Sequence, residues 1–61
     1  MNIGQIIDKA GGMGTVSAAV SIGRIYMEHD NIPINEAALE GARWADIEEH
    51  DLLAVKRELS A

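Results

Sequence analysis

The stretch "GGMGTVSAAVSIG", residues 11–23, holds four of the chain's six glycines. Its reading decides the fold. Val16, Ala19 and Val20 form one helical stripe, whereas Ile22, Ile25 and Tyr26 begin another at a different angle. A single helix over residues 15–30 must carry Gly23 internally, at about 1 kcal/mol relative to Ala. Such a helix is apolar nearly all round, which suits a buried or oligomeric position. In the alternative, the chain turns at Ser21-Ile22-Gly23 and two short helices cross. The change of stripe at the glycine favours the turn.

Upstream, Ile3, Ile6, Ile7 and Ala10 recur at the spacing of a short amphipathic helix, with Asn2 placed to cap it. Ala10-Gly11-Gly12 stops that helix, and Thr15 is placed to cap the next. Downstream, Pro33 forces a break at "DNIP", because proline keeps the preceding residue out of the α region. Asn35 can cap a helix through "EAALEGARW" with Ala38, Leu39 and Ala42 inward. Asp46 and Glu49 read as an acidic capping box for a last helix with Leu52, Val55 and Leu59 on one stripe. One helix from 35 to 59 is the alternative. No β-branched alternation is present, so the chain is expected to be all-α, one compact domain over residues 1–61 with four or five short helices.

A 61-residue chain without cysteine has neither disulfides nor thiolate metal sites to reinforce a small core. Self-association, as a homodimer, is therefore expected. Apolar residues make up 48% of the chain, enough for folding. The longest uncharged run, residues 10–23, is too rich in small and polar residues for a membrane span. With no basic leader region and no cysteine, a cytoplasmic protein is expected.

The net charge of −5 is unevenly spread. Between residues 28 and 51 the acids Glu28, Asp30, Glu36, Glu40, Asp46, Glu48, Glu49 and Asp51 face only Arg43. That block repels phosphate and suits a basic protein surface, or serves simply as a solvated face.

Several chemistries find little support. The glycines follow a helical segment and no Gly-Lys-Ser/Thr follows them, so the nucleotide-binding fingerprints are incomplete. "GGMG" has the form of the KH-domain loop, but that module needs a sheet and a basic groove. Glu-His-Asp occurs at 28–30 and again at 49–51, without the spacing of a helical metal site. No histidine accompanies a nucleophile elbow. Neither catalysis nor a metal or other cofactor is expected.

The segment "IIDKAGGMGTVSAAVSIGRIYMEHDNIP" resembles the small phage repressors of the Cro type, over about residues 3–44. In that layout Val16–Val20 is the first helix of a helix-turn-helix, Ser21-Ile22-Gly23 the turn, and Arg24–His29 the recognition helix. Ile32-Pro33 and "INEAALEGARW" match the helix after the motif. The resemblance implies a DNA-binding transcriptional regulator, with Arg24 and Tyr26 near the major groove and Gly14 or Thr15 amides on a phosphate. Glu28, His29 and Asp30 would then lie on the reading face. A second reading is a protein-binding inhibitor or adaptor, steered by its acids towards a basic partner. Across the two readings the candidate protein-interface residues are Trp44, Glu48, Glu49, Leu52, Val55 and Leu59, with Glu48 and Glu49 those that steer the partner in the second. The Leu/Val stripe with Trp44 would pair subunits, or else be ordinary core.

Overall fold

The computed structural model describes residues 2–61. Four α-helices follow one another: α1 (Ile3–Lys9), α2 (Val16–Asp30), α3 (Ile34–Ala45) and α4 (Leu52–Ser60), with a 3-10 turn at Glu49–Asp51 before α4. The described residues contain no strand.

Local chemistry sets most of the boundaries. Asn2 accepts from the Gln5 amide while the Gln5 side chain accepts from the Asn2 amide, a complete capping box for α1. Beyond Ala10, Gly11 and Gly12 adopt positive φ, and the Gly12 amide closes back on the Ile7 carbonyl. The Thr15 hydroxyl then accepts from the Ala18 amide and starts α2.

Residues 16–30 form one uninterrupted helix, which removes the turn expected at Ser21-Ile22-Gly23. The cause lies outside the segment. Gly23 is buried, and a Cβ there would stand 3.1 Å from the Ala37 carbonyl of α3 and 3.0 Å from Leu59 Cδ1 of α4. It is thus a notch for neighbouring helices rather than a hinge. The change of stripe has the same origin, because α2 packs against all three other helices. Ile22 and Ile25 share a groove with Ile3 and Ile6 of α1, while Gly23 meets α3 and α4.

α3 runs from a Pro33 cap, so Asn35 lies inside the helix rather than capping it. Gly41 faces α2, with its Cα side against the Ala19 backbone. At 3.6 residues per turn, Leu39 points about 200° away from Gly41. Leu39 is accordingly 51% exposed, not inward as expected, whereas Ala37 and Ala38 are fully buried. Asp46 takes a left-handed conformation at φ 55° and ends α3, so no helix spans 35–59. The Asp46 and Ile47 amides both return to the Ala42 carbonyl. Asp46 therefore serves as a C-cap, and the expected Asp46/Glu49 capping box does not form.

The core joins Ile7, Ala18, Ala19, Val20 and Ile22 to Ala37, Ala38, Ala45, Val55 and Leu59. Alanine dominates it, which lets the α2 and α3 backbones come close. No polar or charged residue is buried among the described residues.

Candidate interaction surface

The four residues expected to meet DNA each have a partner inside the chain. The Gly14 amide donates to the Ala45 carbonyl at 2.6 Å, tying the glycine loop to the end of α3. The Thr15 hydroxyl donates to the Gly12 carbonyl at 2.9 Å while capping α2. Arg24 is exposed and reaches the Glu58 carbonyl at 3.4 Å, near the end of α4. The Tyr26 hydroxyl accepts from Trp44 Nε1 at 2.9 Å.

The Tyr26–Trp44 bond follows from helix geometry. Side chains tilt towards the N-terminus of their own helix. Gly23 and Ala19 of α2 both meet Gly41 of α3, so Tyr26 lies one turn past the contact in α2 and Trp44 one turn past it in α3. Each tilts back over the contact, and the rings meet. Trp44 stays 44% exposed at this meeting point.

The other expected interface residues divide. Glu48 and Glu49 are exposed on the link between α3 and α4. Leu52 is half-buried against the core. Val55 is fully buried and Leu59 is nearly so, and this corrects their assignment to an interface: their side chains are already covered by the chain's own helices. They form the inner face of α4, and Leu59 reaches Gly23. The outward-facing leucine of α4 is Leu53, at 57% exposure.

The acidic block remains at the surface. Glu28, Asp30, Glu36, Asp46, Glu48 and Glu49 are exposed, and Glu40 and Asp51 are half-exposed. Among the described residues, the Lys/Arg ion pair within it is Glu40–Arg43 at 3.3 Å, and an Asp51 oxygen lies 3.5 Å from His50 Nε2. The remaining acids meet no cation within ion-pair distance there. No cluster of three or more His, Asp or Glu side chains is placed to hold a metal among the described residues.

Between the C-terminal half of α2 and the outer side of α3 runs a groove of about 370 Å³. Its apolar lining comes from Tyr26, Ile32 and Leu39, and its charged lining from Asp30, Glu36, Glu40 and Arg43. Sequence reasoning missed this groove because it placed Leu39 inward. The signal was Gly41: a helical glycine with alanines one turn away on its own face, Ala37, Ala38 and Ala45, marks the contact side, and Leu39 falls opposite it. A second, nearly all-apolar groove of about 220 Å³ lies between α1 and α2, around Ile3, Ile6 and Ile25.

No helix is long and apolar enough to cross a membrane among the described residues. No protein-family model, curated protein or solved structure matches the chain.

Proposed function

We propose that the chain is a non-enzymatic acidic helical module, an inhibitor or adaptor that binds a protein with a basic surface. The observation that carries this reading is the nearly unpaired acidic block. Of its eight carboxylates, only Glu40 has a lysine or arginine within ion-pair distance among the described residues. Charges left free on a fold this small set up a field that steers an oppositely charged partner. The exposed Leu39 and Trp44 supply apolar area next to those charges, the combination found where charged and apolar contacts share an interface.

The competing reading is the DNA-binding regulator implied by the Cro-type resemblance. It needs a turn at residues 21–23, where the chain is helical. It also needs phosphate contacts that an acid-rich surface repels.

The experiment is capture with the tagged chain at low salt, scored for both protein and DNA. A basic protein is expected, with recovery falling about tenfold on joint Glu48→Lys and Glu49→Lys substitution, since steering by a charged patch is worth about 10–1,000-fold in association rate. The difference should shrink at high salt as screening shortens the reach of the field. Recovery insensitive to both charge reversal and salt would overturn the proposal. Salt-sensitive duplex binding that disappears on Arg24→Ala would establish the regulator instead.

A further inference from the structure

We infer that the α2–α3 groove is the docking site and that its occupant is a cationic amphipathic helix presented by another protein; the inference rests on the protein-binding reading above. Three features of the groove define that occupant. First, its lining combines an apolar set, Tyr26, Ile32 and Leu39, with the carboxylates of Asp30, Glu36 and Glu40. Arg43 is the one cation in the lining, and it is drawn to Glu40. A complementary ligand therefore carries apolar anchors flanked by lysine or arginine.

Second, the ligand's backbone form follows from what the fold can offer. Strand addition needs a free sheet edge, and the described residues contain no strand. Recognition of a proline-rich segment uses an aromatic-lined groove, whereas this lining has one aromatic ring, Tyr26. A groove between two helices, apolar within and charged around, takes a third helix by its apolar face.

Third, the dimensions agree. Glu36 to Arg43 spans about 10 Å of α3 at 1.5 Å per residue, which matches two turns of a ligand helix. Anchors at i, i+3 or i+4, and i+7 fit that length. Leu39 lies at the middle of the α3 segment and is half exposed. A helix seated in the groove covers it at the centre of the contact, the position in which a few residues carry most of the binding energy. Glu48 and Glu49 lie beyond Asp46 and outside the groove, so they contribute to approach rather than to residence.

The test uses the full chain, isotopically labelled for NMR, and a synthetic peptide of about five helical turns. The peptide has leucines at i, i+3, i+4 and i+7 and lysines elsewhere; a scrambled peptide of the same composition is the control. Saturable binding is expected for the patterned peptide, at least about tenfold tighter than for the scramble, with amide shifts concentrated at Tyr26 and residues 30–43. Leu39→Asp should weaken binding at least about tenfold by speeding dissociation, and joint Glu36→Lys and Glu40→Lys should weaken it similarly. These positions are at or near the surface, so melting curves should show the fold retained. Glu48→Lys with Glu49→Lys should slow association and leave dissociation unchanged.

Equal binding of both peptides, or no binding, would overturn the inference. So would shifts centred on Ile3, Ile6 and Ile25, which would place the ligand in the α1–α2 groove. If the peptide fails at this groove while charge-dependent capture of a basic protein persists, the docking site is wrong and the protein-binding reading stands. If both fail, that reading falls with it.

Discussion

Gly41 of α3 packs directly on the Ala19 carbonyl of α2, and the position has no room for a Cβ. An added methyl would collide with that oxygen, stand 2.9 Å from the Ala19 carbonyl carbon, and stand 3.2 Å from the Gly23 nitrogen. All three obstacles are backbone, so no side chain can swing aside. The closeness of α2 and α3 depends on this glycine, and the groove on their outer side depends on that closeness.

Gly41→Ala should therefore separate the helices despite the better helix propensity of alanine. Overpacking of this kind costs about 1–3 kcal/mol or more, a large part of what a core this small supplies. Gly23→Ala should be much milder. Its Cβ would gain about 1 kcal/mol in propensity and meet the movable end of Leu59, although the Ala37 carbonyl at 3.1 Å still resists. Thermal melts followed by circular dichroism compare the two. A Gly41→Ala protein as stable as the parent would refute the close α2–α3 contact.

The inner face of α4 provides a second prediction. Leu59→Ala should cost about 2–5 kcal/mol, and Val55→Ala about 2 kcal/mol, by lost transfer free energy and cavity formation. Leu53→Ala, at a side chain 57% exposed, should stay within about 0.5 kcal/mol. Chemical denaturation measures all three. The opposite order, with Leu53 the costly position, would mean that α4 is turned to present Val55 and Leu59 outward, as an interface would require.

Asp46 offers a stabilising change. It holds φ 55° at the end of α3, a region that an L side chain enters at a cost and glycine enters freely. Asp46→Gly should raise stability by roughly 0.5–1 kcal/mol, or about 4 °C in Tm for a domain of this size. Asn31→Gly, at the matching end of α2, should gain less because asparagine tolerates this conformation better. A fall in Tm for Asp46→Gly, read by calorimetry, would contradict the left-handed cap.

The helix starts of α1 and α2 were legible in the residues themselves. Asn2 and Thr15 do the capping expected of them, through bonds spanning three residues. Asp46 misled for a related reason. An aspartate can cap a helix start or occupy a left-handed stop, and the spacing to Glu49 suited the first role. The structure has the second, with the Asp46 and Ile47 amides both on the Ala42 carbonyl. The groove was less legible than the caps, since no local pattern says which side of "EAALEGARW" another helix will cover.

The class of fold and the acidic asymmetry were determined by the sequence alone, because capping bonds, proline sterics and charge act at or near the residues that carry them. Tertiary structure decided what Gly23 is for, that Leu39 faces outward, and that Val55 and Leu59 face inward. Each depends on a helix distant along the chain: Ala37 and Leu59 close over Gly23, and the Ala19 backbone meets Gly41. The stretch "GGMGTVSAAVSIG" contains the glycine but not its neighbours. A buried glycine allows both a turn and a close approach, and the helices that arrive against it choose between them.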